Sequence, residues 1–142
     1  MKNKYLILNL LVLLVIVEVV LTGFLSYKAV TSVDGFCVMG EDASQCDNVQ
    51  NSGYGKIFGV KLGYFGLTSF LVLSAVLFRD FHKKKISNLF IGLSIIGAIF
   101  ALYFVYLQIF VLKQICETCM IVDGTAVLIL LVCLAGKKAP LV

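Results

Sequence analysis

Long apolar runs alternate with short polar stretches along the whole chain. Four runs are long enough to cross about 30 Å of hydrocarbon, and they occupy about residues 5–27, 62–78, 86–112 and 115–135. Such runs are helices, because only helices and closed barrels satisfy their backbone hydrogen bonds in lipid. Strand-like alternation of apolar and polar positions is absent from the sequence. The pattern therefore predicts an all-α membrane protein, built as a bundle of four transmembrane helices.

Composition supports the same class of protein. The chain is 61% hydrophobic, with a mean hydropathy of +1.03 and one proline, whereas a soluble domain is nearer half apolar. The longest polar stretch, residues 28–61, leaves no room for a separate soluble domain. We therefore expect one membrane domain over residues 1–142. The net charge of +4 is interpreted as a topology signal, and no nucleic-acid partner is expected.

The first apolar run has some features of a signal peptide, since Lys2 and Lys4 precede it. The run is longer than the apolar region of a usual signal peptide, and no small-x-small cleavage site follows before Tyr27. The sequence therefore predicts a retained first helix.

Basic residues indicate which ends of the helices face the cytoplasm. With four spans, both termini and the connection between the second and third helices share one side, which holds Lys2, Lys4, Arg79, Lys83, Lys84, Lys85, Lys137 and Lys138. The other side holds Lys28, Lys56, Lys61 and Lys113. The asymmetry predicts cytoplasmic termini in a plasma (inner) membrane and a long extracytoplasmic loop, residues 28–61, between the first two helices.

This topology, derived from the basic residues, separates the five cysteines. Cys37, Cys46, Cys116 and Cys119 fall on the extracytoplasmic side, where disulfides persist. Cys133 falls near the cytoplasmic end of the last helix, and we expect it to serve packing or to face lipid. Two cysteines three positions apart at the start of a helix can face each other and exchange a disulfide. The two outer pairs favour a two-step electron relay.

Polar groups inside the predicted spans are candidates for function, because a carboxyl group is costly in hydrocarbon. Asp123 continues the stripe that begins with Cys116 and Cys119, at helical spacing. Glu18 lies well inside the first span and is a candidate for function for the same reason. One face of the third helix, near the extracytoplasmic end, carries Phe104, Gln108 and Leu112.

The order of these motifs resembles that of a known family. Cys37 and Cys46 form a C-x8-C pair, Ser52 follows in the same loop, and a C-x-x-C of Cys116 and Cys119 begins the fourth helix. This combination resembles the vitamin K epoxide reductase family, in a prokaryotic form without a fused thioredoxin domain. The prokaryotic members are quinone-linked enzymes of disulfide formation, so the resemblance implies a membrane oxidoreductase that acts on thiols.

The resemblance also implies a role for each cysteine. Cys119 would lie nearer the quinone, and Cys116 would exchange with the loop. Cys37 would meet the redox partner, and Cys46 would pass electrons to Cys116. Since no thioredoxin-like domain is fused, the expected partner is a separate thioredoxin-like protein.

Further residues are assigned to the quinone site by the same resemblance. Ser52 matches a loop hydroxyl that the family places close to the active site, and Tyr54 falls where a loop aromatic caps the pocket. The expected lining is Phe65, Phe104, Gln108 and Leu112. The co-substrate would be a membrane quinone of the menaquinone, ubiquinone or vitamin K type, and no metal is expected.

Two positions depart from the animal pattern of that family. Asp123 stands where animal members have a tyrosine, and Leu62 stands at about the position of an asparagine. Both departures favour quinone reduction over epoxide reduction, which is kept as an alternative. Asp123 becomes a candidate proton donor or ring-oxygen partner if it is protonated.

Other interpretations of the outer cysteines stay open. Four thiolates can bind zinc in a non-enzymatic membrane protein, although a C-x8-C pair is unusual for zinc, and both pairs can be permanent structural disulfides. A second quinone-linked four-helix family usually places its C-x-x-C in the first outer loop. The reversed order here disfavours that family.

Overall fold

Four long helices account for most of the described chain. The computed structural model describes residues 2–31, 48–49 and 52–138. The helices are α1 (Lys2–Thr31), α2 (Leu62–Lys83), α3 (Asn88–Tyr106) and α4 (Glu117–Lys138). The segments long and apolar enough to cross a membrane are Tyr5–Tyr27, Gly63–Lys83, Asn88–Leu112 and Glu117–Lys137. The predicted bundle of four transmembrane helices is confirmed. Its second helix runs past residue 78, because the chain stays helical until Lys84 adopts a left-handed φ of 50°.

The third span changes its helix type before it ends. After α3 the chain continues as a π-helix, Leu107–Leu112, which ends where Lys113 adopts a φ of 50°. A short link then leads into α4. π-Helical turns are rare and occur mostly at functional sites. The apolar pattern did not predict this change, because it distinguishes apolar from polar positions and not one helical hydrogen-bond register from another.

A small hairpin precedes α2. It follows a 3₁₀ turn, Gly53–Gly55, and consists of β1 (Lys56–Ile57) and β2 (Val60–Lys61), which pair antiparallel. Its two turn residues, Phe58 and Gly59, have φ values of 52° and 81°, as a two-residue hairpin turn requires. The sequence analysis predicted no strands in this part of the loop.

The helices pack around α1 and α4. The most extensive contacts join α1 to α2, α1 to α4 and α3 to α4, whereas α2 and α3 contact each other less. The buried core is Leu8, Leu11, Val15, Leu73, Leu77, Phe90, Ile91, Ile129 and Cys133. Cys133 thus packs in the core. Most apolar side chains of the spans lie on the outside of the bundle, an arrangement suited to lipid.

Glycines of α2 face α1 near the end of the bundle that carries Cys116. A Cβ on Gly66 would lie 3.5 Å from Thr22 Cγ2, and one on Gly63 would lie 3.6 Å from Ser26 Oγ. Small residues at such contacts are typical of helix packing in membranes. At these contacts Thr22 and Ser26, two polar residues of α1, lie against α2.

Candidate functional site

Cys116 lies at the start of α4 and is fully buried. Its carbonyl oxygen accepts the backbone N–H of Met120 at 2.9 Å, and its Sγ accepts the backbone N–H of Cys119 at 3.3 Å. The sulfur therefore occupies the place of a helix-capping oxygen. An N–H group and the positive end of the helix dipole both stabilise negative charge on this sulfur.

Gln108 connects the π-helix to α4. It is buried, its Oε1 accepts the backbone N–H of Cys116 at 3.0 Å, and its Nε2 donates to Asp123 Oδ2 at 3.4 Å. One amide side chain thus holds both the cysteine backbone and the carboxyl group. The sequence analysis predicted Gln108 as part of the lining and missed this connection, since residues 108, 116 and 123 are brought together by the turn between two helices.

A cavity of about 600 Å³ opens between the helices at this end of the bundle. Its wall is mostly apolar and is built from all four helices and the turn before the hairpin. The aromatic cap and the four lining residues predicted for the quinone site all lie on this wall, namely Tyr54, Phe65, Phe104, Gln108 and Leu112. Small-molecule sites are typically apolar cavities of roughly 300–1,000 Å³ with a few polar groups. The size and the wall therefore fit a quinone ring with part of its isoprenoid tail.

The two cysteines of the C-x-x-C have different surroundings. Cys119 lies on the cavity wall together with Asp123. Cys116 instead packs with Val49, a buried residue of the segment before the 3₁₀ turn, and with Leu112. Cys119 therefore lines the cavity and also packs against the cluster of Val49 and Cys116, whereas Cys116 does not line the cavity.

Ser52 is not on the cavity wall. Its hydroxyl donates to the carbonyl oxygen of Val49 at 2.7 Å and accepts the backbone N–H of Gly55 at 3.1 Å. These bonds hold the 3₁₀ turn, which places Val49, Tyr54 and Gly55 on the wall. Ser52 thus positions other residues, and Tyr54, which is about half exposed, lies at the rim.

Several wall residues were not predicted. They are small or weakly polar and belong to α1, α2 and α3, and they include Thr22, Thr68, Ser69, Ser94, Gly97 and Ala101. A sequence signal existed, since Ser94, Gly97 and Ala101 recur at helical spacing on one face of α3.

The remaining predictions concern the loop cysteines, Leu62 and a metal site. Cys37 and Cys46 fall outside the described residues. Leu62, the second departure from the animal pattern, is the first residue of α2. Within the described ranges, no three His, Cys, Asp or Glu side chains are grouped as metal ligands would be.

The comparison with known families agrees with the motifs. The family model of the vitamin K epoxide reductase family matches residues 9–135, which is most of the chain. A search of the curated proteins found no match. The matched region contains the cavity, the C-x-x-C and nearly all of the four membrane helices. The chain therefore belongs to the vitamin K epoxide reductase family and is an integral membrane oxidoreductase of that family.

Proposed function

We propose that the chain is a quinone-linked thiol oxidoreductase that supports disulfide bond formation. The observation that carries the proposal is that Cys119 lies on the wall of the cavity, whereas Cys116 is fully buried against Val49 and does not line the cavity. This arrangement lets electrons enter at Cys116 and leave at Cys119. Family membership supports the same chemistry.

The thiol steps pass two electrons through two disulfides. A reduced thioredoxin-like partner attacks the Cys37–Cys46 disulfide, so the partner becomes oxidised and the loop pair becomes a dithiol. The Cys46 thiolate then attacks Cys116, which forms a Cys46–Cys116 mixed disulfide and releases the Cys119 thiolate. Cys37 attacks Cys46 and releases the Cys116 thiolate, which the N–H of Cys119 and the start of α4 stabilise.

The last step takes place in the cavity. The Cys116–Cys119 dithiol closes to a disulfide, and its two electrons reduce the quinone to the quinol. The two protons that the thiols lose equal the two that the quinone oxygens gain. Asp123 lies on the wall and is held by the amide of Gln108, so its carboxyl group is placed to donate a proton to a ring oxygen.

The orientation in the membrane follows from the basic residues. The connection between α2 and α3 carries Lys83, Lys84 and Lys85, and it lies at the opposite end of the bundle from Cys116. An excess of lysine marks the cytoplasmic side. We therefore place both termini in the cytoplasm and the cavity near the extracytoplasmic surface, where a separate thioredoxin-like partner reaches the loop.

Quinone reduction tests the cavity step directly. The purified protein in lipid nanodiscs is supplied with dithiothreitol and a short-chain menaquinone or ubiquinone, and quinone absorbance is followed. We expect Cys119→Ala to abolish the reaction. Cys133→Ala is the matched control, because Cys133 is buried in the core at the other end of α4, and it should retain activity. Full activity of Cys119→Ala would contradict the proposal.

Trapping tests the loop step. In Cys37→Ala the Cys46–Cys116 mixed disulfide has no resolving thiol, so it should accumulate and be found as a cross-linked peptide pair by mass spectrometry. Cys46→Ala should lack that pair. If Cys116 links to neither loop cysteine in any variant, the relay is wrong.

A further inference from the structure

A polar stripe on α1 is buried inside the bundle. Glu18, Thr22 and Ser26 follow each other at four-residue spacing and are 0%, 2% and 5% exposed. The Thr22 hydroxyl donates to the carbonyl oxygen of Glu18 at 2.7 Å. Among the described residues, neither carboxyl oxygen of Glu18 nor Ser26 Oγ has a hydrogen-bond partner. Buried polar groups almost always have partners, so these groups require an explanation.

Two polar groups of α4, which packs against α1, act on Glu18. The carboxyl group of Asp123 acts on Glu18 electrostatically, and the side chain of Thr125 faces it. The Thr125 hydroxyl donates to the carbonyl oxygen of Ile121 at 2.8 Å, so it does not supply that proton to Glu18. The other titratable residues on the two helices packed against α1 are Tyr64, Arg79, Asp80, His82 and Lys83 on α2, and Glu117, Cys119, Cys133, Lys137 and Lys138 on α4.

The cavity connects the stripe to the candidate site. Thr22 and Asp123 both lie on its wall, whereas Glu18, one helical turn from Thr22, does not. In the structure neither carboxyl oxygen of Glu18 accepts a hydrogen bond from a described group, and the charged group that acts on it is another carboxyl, Asp123. An apolar interior therefore favours the neutral acid, which carries a proton. Glu18 thus holds a proton within electrostatic reach of Asp123, the carboxyl group on the cavity wall.

We propose that Glu18 is a proton-relay residue of the quinone site and acts through Asp123; this inference rests on the proposed function. Asp123 gives its proton to a ring oxygen as the dithiol delivers two electrons. Glu18 then passes its proton through a bridging water to the Asp123 carboxylate, which protonates the second ring oxygen. The two thiol protons return to the two carboxyl groups through the cavity, whose wall carries both Cys119 and Asp123. Dithiol and quinone give disulfide and quinol, with no net proton uptake.

The rate of quinone reduction and its dependence on pH distinguish a proton relay through Glu18 from a purely structural role of this residue. We expect Glu18→Gln to slow quinone reduction at least about tenfold, since positioned proton transfer contributes roughly 100-fold or more. The slowed rate should rise as pH falls, because solvent must replace the missing proton, whereas the wild-type rate should change little. Glu18→Asp, which keeps a carboxyl group, should recover much of the rate. Wild-type rates in Glu18→Gln, or equal losses in both variants with an unchanged pH profile, would overturn the relay.

Infrared spectroscopy tests the carboxyl pair without quinone chemistry. The wild type should show the carbonyl stretches of two protonated carboxylic acids, and Glu18→Gln should lose the Glu18 band while the Asp123 band remains. In Asp123→Asn the remaining Glu18 band should shift, since its neighbour has changed. A Glu18 band that is absent, or that is identical with and without Asp123, refutes the pair. A wild type that reduces no quinone refutes the proposed function instead, and the infrared result still decides on the pair.

Discussion

The side-chain oxygen of Gln108 accepts the backbone N–H of Cys116 at 3.0 Å. The amide nitrogen of the same side chain donates to Asp123. The π-helix that contains Gln108 therefore positions both the cysteine that begins α4 and the carboxyl group on the cavity wall. One buried residue thus fixes the position of the Cys116 backbone relative to the Asp123 carboxyl group.

Replacing Gln108 with an apolar residue should lower both the stability of the protein and the rate of quinone reduction. In Gln108→Leu the buried N–H of Cys116 loses its acceptor, which should lower the free energy of unfolding by about 1–3 kcal/mol. Asp123 also loses a donor, so quinone reduction should fall. Thermal unfolding and the quinone assay measure the two effects. Gln114→Leu removes the same side-chain type from the link before α4 and should change neither. A fully active Gln108→Leu would contradict the role of the amide.

The loop over Cys116 should depend on Ser52. Ser52→Ala loses the bond to Val49 and the bond from Gly55, and loss of a capping hydroxyl typically costs about 0.5–2 kcal/mol. Because the two bonds help to hold three wall residues, Val49, Tyr54 and Gly55, we expect a higher KM for quinone with a smaller change in kcat. Ser52→Thr keeps the hydroxyl and should behave more like the wild type. A lower kcat at unchanged KM would instead indicate that Ser52 acts in the chemistry.

Two glycines of α3 offer a matched test of the cavity. A Cβ at Gly97 or at Gly92 would meet no atom within 4 Å, but Gly97 lies on the cavity wall and Gly92 does not. Gly97→Leu should therefore occupy part of the cavity and raise the KM for quinone. Gly92→Leu should leave the KM unchanged. Equal kinetics in the two variants would show that quinone does not occupy this part of the cavity.

Close packing at the other end of the bundle should limit stability. A Cβ on Gly136 would lie 2.9 Å from Ile7 Cγ2 and 3.1 Å from Ile86 Cδ1. Ile7 is β-branched and adjusts poorly, so Gly136→Ala should destabilise the protein by about 1–3 kcal/mol through overpacking. On the same helix, Gly124 has nothing within 4 Å of its Cβ position, and Gly124→Ala should not lower the melting temperature. The reverse order of melting temperatures would contradict this packing.

Some of the site could be predicted from the chain alone. Phe104, Gln108 and Leu112 share a helical face, and Cys119 and Asp123 share another, so helical periodicity already groups each set. The structure brings both sets to one cavity wall. The roles of these residues, and those of Cys37 and Cys46, stay predictions. The bond from Cys116 to Gln108 could not be predicted, because it depends on the π-helix and on the turn at Lys113.

The sequence by itself determined the number of spans, their approximate lengths and the cysteine pair at the start of the last helix. These properties are local, since the thickness of the hydrocarbon layer sets the length of each apolar run. Only the tertiary structure decided that α1, which carries Glu18, packs against α4, which carries Asp123, and that Cys119 lines the cavity while Cys116 does not. Such relationships depend on how each helix is rotated against its neighbours, and close packing between helices, rather than the pattern within any one of them, sets that rotation.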